Sequence, residues 1–196
     1  MYPQLVSLIL FGIAISYTPG PNNIIASHSG FNFGFKKTLP LILGVAFGWS
    51  FVLIFFESGL IILFQKYPIL QIIIKGIGTI FLIYLAYKIS FARTEETKEN
   101  KSPITFKDMF FFQFMNPQGI LIAMIIVSTF IDPNEMYLRD TLVVTIVMFI
   151  MAFTSVSFWC LLGKYLRKFA TNEKFIKIFN YSMSFLLIVC VILFYV

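Results

Sequence analysis

The chain has 196 residues, of which 59% are hydrophobic, 18% aromatic and only 12% charged, far from the roughly 45–50% apolar and about 25% charged make-up of soluble domains. That composition excludes a soluble enzyme or binding module. The net charge of +6 does not point to nucleic acid either, because the basic residues are distributed by loop, as the positive-inside rule predicts for a membrane protein.

Six apolar runs follow one another, at about 4–29, 39–64, 68–92, 106–131, 141–163 and 175–196. Each reaches the roughly 20 residues that a membrane-crossing helix needs. The expected fold class is an all-α integral membrane protein of six transmembrane helices. Met1-Tyr2-Pro3-Gln4 lacks the positive region of a secretory signal, so the first run is expected to remain as span 1. Inside it lies Thr18-Pro19-Gly20-Pro21-Asn22-Asn23, a sequence that must break a helix, since each interior proline costs roughly 3 kcal/mol and strips a backbone hydrogen bond. His28, the only histidine, reads as an interfacial residue near the end of this span.

Span 2 carries Gly44 and Gly48 at the spacing that lets another helix backbone approach closely, and it carries Glu57 deep in apolar sequence. Lys75 of span 3 is equally deep. Both are nine residues from Lys66 in the connecting turn, about 13 Å along a helix. A charge at the bilayer centre costs roughly 2.5–3.5 kcal/mol, so the two are expected to pair. A structural salt bridge and a proton-coupling carboxylate are both open readings of that pair.

The polar stretch Arg93 to Asp108 then divides the chain into a first repeat, 1–92, a cytoplasmic linker, 93–107, and a second repeat, 108–196, within one transporter domain. Three spans precede it and three follow. Because three is odd, related halves would form inverted repeats. Span 4 supports that relation, since Asn116-Pro117 and Gly119 interrupt "FQFMNPQGIL" where Pro19 to Asn22 interrupt span 1. Paired interruptions of this kind point to a transporter's binding site, because irregular backbone at membrane depth survives only where it lines protein or a cavity.

In spans 5 and 6, Trp159 and Tyr165 read as interfacial anchors. Cys160 and Cys190 lie at different depths, too far apart for a disulfide. Twelve basic residues fall in or beside the loops 1–2, 3–4 and 5–6, two (Lys66 and Arg139) on the opposite side, and Lys75 completes the fifteen. This places both termini outside the cytoplasm.

The expected substrate site is therefore Pro19, Gly20, Pro21, Asn22, Asn23, Asn116 and Pro117. Free amides at the restarted helices suit a carboxylate, carbonyls of Ser16 or Tyr17 suit an ammonium group, and Asn22 and Asn116 add neutral donors and acceptors. For a single proline a packing kink is the better reading; two matched breaks favour a site.

"TPGPNNIIASHSGFNFGFKKTLPLILGVAFG", "IKGIGTIFLIYLAYK" and "FQFMNPQGILIAMIIVSTFI" resemble the lysine-exporter (LysE/RhtB-type) amino-acid exporters of bacterial inner membranes, and the resemblance covers nearly the whole chain. It implies an exporter of small amino acids or their derivatives driven by proton antiport. The Asn23 doublet and "FNYSMSFLLIVCVILFYV" lean toward the branch exporting cysteine, O-acetylserine or other small neutral amino acids. Lys75 matches the family pattern. Glu57 stands where the family is usually apolar or small, and Leu41 where relatives often have His.

The partners expected are a small amino acid, protons and membrane lipid, not nucleic acid, with a homodimer as a candidate assembly. No cofactor, catalytic group or metal site is expected: there is no H-E-x-x-H, no G-x-S-x-G and no Asp, His or Cys cluster, which argues against a membrane-embedded enzyme. A non-transporting scaffold would leave the matched breaks unexplained.

Overall fold

The computed structural model describes residues 4–90, 104–131, 136–170 and 172–195, so the expected linker at 93–107 lies mostly outside them. Among the described residues the regular structure is all helical: α1 (Leu5–Tyr17), α2 (Pro21–Phe55), a π-helical segment (Phe56–Leu60), α3 (Ile61–Lys66), α4 (Ile69–Ser90), α5 (Phe106–Met115), α6 (Pro117–Phe130), α7 (Tyr137–Leu166), a 3-10 turn (Arg167–Phe169) and α8 (Glu173–Leu193). Among the described residues four stretches are long and apolar enough to cross a membrane, five if the bent pair α5–α6 counts as one, while α1 by itself is short. Exposed Leu10, Ile62, Ile80 and Leu142 suit a surface that faces lipid.

Proline chemistry sets the breaks. The residue before a proline is pushed out of the helical region, and Thr18 (ψ 140°), Gly20 (ψ 177°) and Asn116 (ψ 103°) all precede one. Helix restarts at once, with Pro21 and Pro117 as first residues, the position where a missing N–H is harmless. The angle between α5 and α6 is 64°.

The loop expected between spans 1 and 2 is replaced by a one-residue turn. Helix runs from Pro21 to Lys66, 46 residues, which would measure about 69 Å if straight, against an apolar bilayer core of about 30 Å. Only Gly34 departs from helical geometry within α2, at φ 75° and ψ 171°, a left-handed φ that favours glycine. The chain folds back there, since the hydroxyls of Ser29 and Thr38 are hydrogen-bonded at 2.9 Å although nine residues apart.

Past the turn, 35–55 lies parallel to α5. Phe47, Phe51 and Phe55 meet Phe106, Phe110 and Phe114 in sequence, and a Cβ on Gly44 or Gly48 would strike the Phe106 or Phe110 carbonyl. The expected packing role of that glycine pair is what the structure has. In the same manner α7 lies parallel to α1, pairing Met151 with Gly12, Ser155 with Ser16 and Trp159 with Tyr17. Thus 35–55 runs along α5, before the second break, and α7 runs along α1, before the first.

Two apolar cores result. One holds Leu41, Ile42 and Val45 with Val156 and Cys160; the other holds Trp49, Val52, Leu53 and Phe56 with Val144, Met148 and Ala152. As α2 advances α7 recedes, so these helices are antiparallel. Both cysteines are buried free thiols, and His28, expected at an interface, is buried at 7% exposure.

Candidate functional site

Between the two cores, where both helix breaks lie, is a cavity of about 80 Å³. Its wall combines Ser16, Thr18, Gly20, Pro21, Asn22 and Asn23 from the first break, Gln113, Asn116, Gln118 and Gly119 from the second, Trp49 from α2, and Met148, Ala152 and Ser155 from α7. A buried water needs about 10–15 Å³ of such space, so the cavity has room for about five to eight water-sized groups. Among the described residues no ionisable side chain lines it.

The polar groups divide into those already partnered and those left open. Asn22 and Gln113 form a reciprocal amide pair across the two breaks, Nδ2 to Oε1 at 2.9 Å and Nε2 to Oδ1 at 3.0 Å. Asn23 Nδ2 donates to the carbonyls of Ser16 (2.7 Å) and Thr18 (2.8 Å). Ser155 Oγ donates to Ser16 O at 2.5 Å, and Trp159 Nε1 donates to Tyr17 O at 3.2 Å. The expectation that the Ser16 and Tyr17 carbonyls face the cavity free is therefore corrected. A buried carbonyl without a donor costs about 1–3 kcal/mol, and Asn23, Ser155 and Trp159 remove that cost. Trp159, expected as an interfacial anchor, also caps broken α1.

What remains open is different. Ile24 N closes onto Gly20 O at 2.9 Å and Ile120 N onto Asn116 O at 3.0 Å, which leaves the amides of Asn22, Asn23, Gln118 and Gly119 in uncapped first turns. Asparagine at a helix start ordinarily caps such amides. Asn116 occupies that position and makes no capping bond; it is 3% exposed and its Oδ1 has no partner among the described residues. The site thus holds a buried acceptor and two helix N-termini, each with partial positive charge.

Not every expected residue is here. Pro19 and Pro117 line a neighbouring, larger cavity of about 350 Å³ together with Lys75, Gln71 and Gln118. Glu57 lines neither.

The expected Glu57–Lys75 ion pair is absent among the described residues, whose ion pair is Arg139–Asp140. Glu57 is 6% exposed and accepts from Thr145 Oγ1 at 3.1 and 3.4 Å, while Lys75 Nζ sits 4.4 Å from the Tyr195 ring centroid. Equal depth did not mean a shared face. The π-helical segment and Gly59, at φ 112°, change the helical phase between Glu57 and the turn, and Tyr137 Oη donates to the carbonyl of Glu57 at 2.5 Å. The Glu57 side chain thus meets α7, whereas Lys75 meets the end of the chain after α8.

Gln113, Gln118, Ser155 and Trp159 were not among the expected site residues. The legible signal was polarity alone: a glutamine three residues before Asn116, another two after it, and a serine in the middle of span 5.

The family model described as LysE type translocator matches residues 13–196. Among curated relatives, the cysteine/O-acetylserine efflux proteins of Escherichia coli (strain K12) and of Shigella sonnei (strain Ss046) are each 26% identical over 193 residues, covering 98% of this chain and 98% of the relative. The protein of the same description from Escherichia coli O139:H28 (strain E24377A / ETEC) matches to the same extent. No solved structure matches the chain.

Proposed function

The chain belongs to the LysE type translocator family, a multi-pass membrane transporter and not an enzyme, and we propose that it exports small neutral amino acids or their derivatives, such as cysteine or O-acetylserine, across the bacterial inner membrane by proton antiport. The observation that carries this reading is the cavity joining both helix breaks, with an unpartnered Asn116 Oδ1 beside two uncapped helix starts. A zwitterion fits that arrangement: its carboxylate takes the amides of Asn22, Asn23, Gln118 and Gly119, and its ammonium donates to Asn116. About five to eight water-sized groups is the scale of a small amino acid. The described residues of the wall include no carboxylate for a cationic side chain, which favours neutral substrates. The named relatives support the same substrate class.

Six spans in two inverted repeats remain the proposed organisation. The reciprocal parallel packing of 35–55 with α5 and of α7 with α1 supports it, because corresponding helices of the two halves then point in opposite directions. In this reading Glu57 carries the coupling proton, being a carboxylate at membrane depth in a π-helical segment, a feature often found at functional sites. It is eight residues, about 12 Å, along the helix from Trp49 of the cavity wall.

Efflux of labelled cysteine from preloaded cells, with and without an imposed proton gradient, tests both roles. Asn116→Ala should lower efflux about tenfold or more, the scale of a hydrogen bond to a charged group, while membrane protein levels hold, since Asn116 Oδ1 has no partner to lose among the described residues. Glu57→Gln should leave efflux that no longer responds to the gradient. Unchanged efflux in Asn116→Ala removes the site, and a normal gradient response in Glu57→Gln removes the coupling role.

The loop asymmetry supports termini outside the cytoplasm. Introduced singly into a cysteine-free background, Lys66→Cys should react with an impermeant thiol reagent in intact cells and Lys107→Cys should not. The reverse labelling pattern would invert the topology.

A further inference from the structure

The larger cavity has no role in the site described so far, yet its composition is unusual for an apolar crevice. Lys75, Gln71 and Gln118 are its polar lining, beside Pro19 and Pro117 on the far side of the two breaks and apolar Ile120, Met124 and Phe194. A lysine at this depth is costly unless it faces a cavity or a partner. Lys75 has no carboxylate partner among the described residues; its ammonium rests on the Tyr195 ring, and the Tyr195 hydroxyl is held at 3.1 Å from Thr79 Oγ1, one turn along α4. Among the described residues the positive charge is therefore positioned but not neutralised.

Gln118 links this cavity to the smaller one. It lines both, makes no hydrogen bond among the described residues, and packs so close to Gly20 that a Cβ there would come within 2.9 Å of Gln118 Oε1. A partition held by contact rather than by hydrogen bonds can swing without breaking any.

We propose that the larger cavity is a second station on the export path, in which Lys75 binds the substrate carboxylate after it leaves the helix breaks, and that the Gln118 side chain is the movable partition between the stations. This rests on the export reading above. The size difference accords with it: 80 Å³ selects a small solute, and 350 Å³ admits it without selecting further, so that charge rather than shape holds it there.

The test uses the purified full-length protein in proteoliposomes, with counterflow of labelled L-cysteine and two competitors, unlabelled cysteine and cysteamine, which lacks the carboxylate. The wild type should prefer cysteine. Lys75→Met should weaken competition by cysteine about tenfold or more with cysteamine unaffected, and Lys75→Arg should keep the preference. Removing a charge at membrane depth should not impair insertion, and rates are normalised to reconstituted protein. Gly20→Ala should slow counterflow by displacing Gln118, and adding Gln118→Ala should restore it. An unchanged preference in Lys75→Met overturns the second station while leaving the break site standing, and a double variant no faster than Gly20→Ala removes Gln118 from the path. Absence of cysteine counterflow in the wild type overturns both this inference and the reading on which it rests.

Discussion

Replacing Pro19, Gly20 and Pro21 together by alanine should abolish efflux while leaving the protein at least as well inserted as the parent. Alanine is the best helix former and each proline is worth roughly 3 kcal/mol against it in a helix interior, so residues 18–20 should close into one helix from α1 into α2. Healing gives the Asn22 and Asn23 amides carbonyl partners within the helix and gives the carbonyls of Ser16 and Tyr17 amide partners, so Asn23, Ser155 and Trp159 lose their acceptors. The geometry also predicts a specific structural readout: the Asn22–Gln113 pair should separate, detectable as loss of a cross-link engineered between positions 22 and 113. Efflux of labelled cysteine, normalised to membrane protein level, is the decisive measurement, and normal transport by the triple variant would reduce the break to a packing kink.

The largest effect on stability should come from Gly163→Ala. A Cβ at Gly163 would collide with the backbone carbonyl of Ser27, and one at Gly30 would collide with the carbonyl of Cys160. The two glycines thus form a reciprocal crossing in which each makes room for the other helix. Overpacking usually costs about 1–3 kcal/mol; here the obstructing atoms are backbone and cannot rotate away, so the upper end or beyond is expected, enough to lower the amount of folded protein severalfold. Gly76→Ala is the control, because nothing lies within 4 Å of a Cβ there. Thermal stability in detergent should separate the two variants clearly. Equal stability would mean that the α2–α7 crossing tolerates separation.

How much of this was readable beforehand depended on whether the cause was local. The breaks at 18–20 and 116 were legible because proline acts on its immediate neighbour, and the same rule accounts for the observed ψ of Thr18, Gly20 and Asn116. The Gly44/Gly48 contact was legible for a similar reason, as the spacing fixes a face. Who fills the vacated hydrogen bonds was not legible. Ser155 and Trp159 reach the first break from more than 130 residues away, and no local pattern distinguishes them from any other serine or tryptophan in an apolar span. The Glu57–Lys75 pairing failed for a third reason: distance from a turn fixes depth but not rotation, and Gly59 alters the rotation. The turn at Gly34 was hidden because the helix continues on both sides of it, and the polar residues Lys36 and Lys37 suggested a longer loop.

The reciprocal pair of Asn22 and Gln113 also makes the smaller cavity hostile to greasy solutes, which matters for a protein bathed in hydrocarbon. With nothing bound, the two amides satisfy each other. A zwitterion that separates them can offer hydrogen bonds in return, so the exchange is close to neutral. An apolar solute of equal size offers none, and leaves buried donors and acceptors stranded at about 1–3 kcal/mol each. Sites built to pair with polar groups reject analogues that lack them far more strongly than apolar pockets reject a missing methylene. On the proposed transport reading, the amide pair acts as a sieve by polarity that disfavours the lipid-soluble molecules around it.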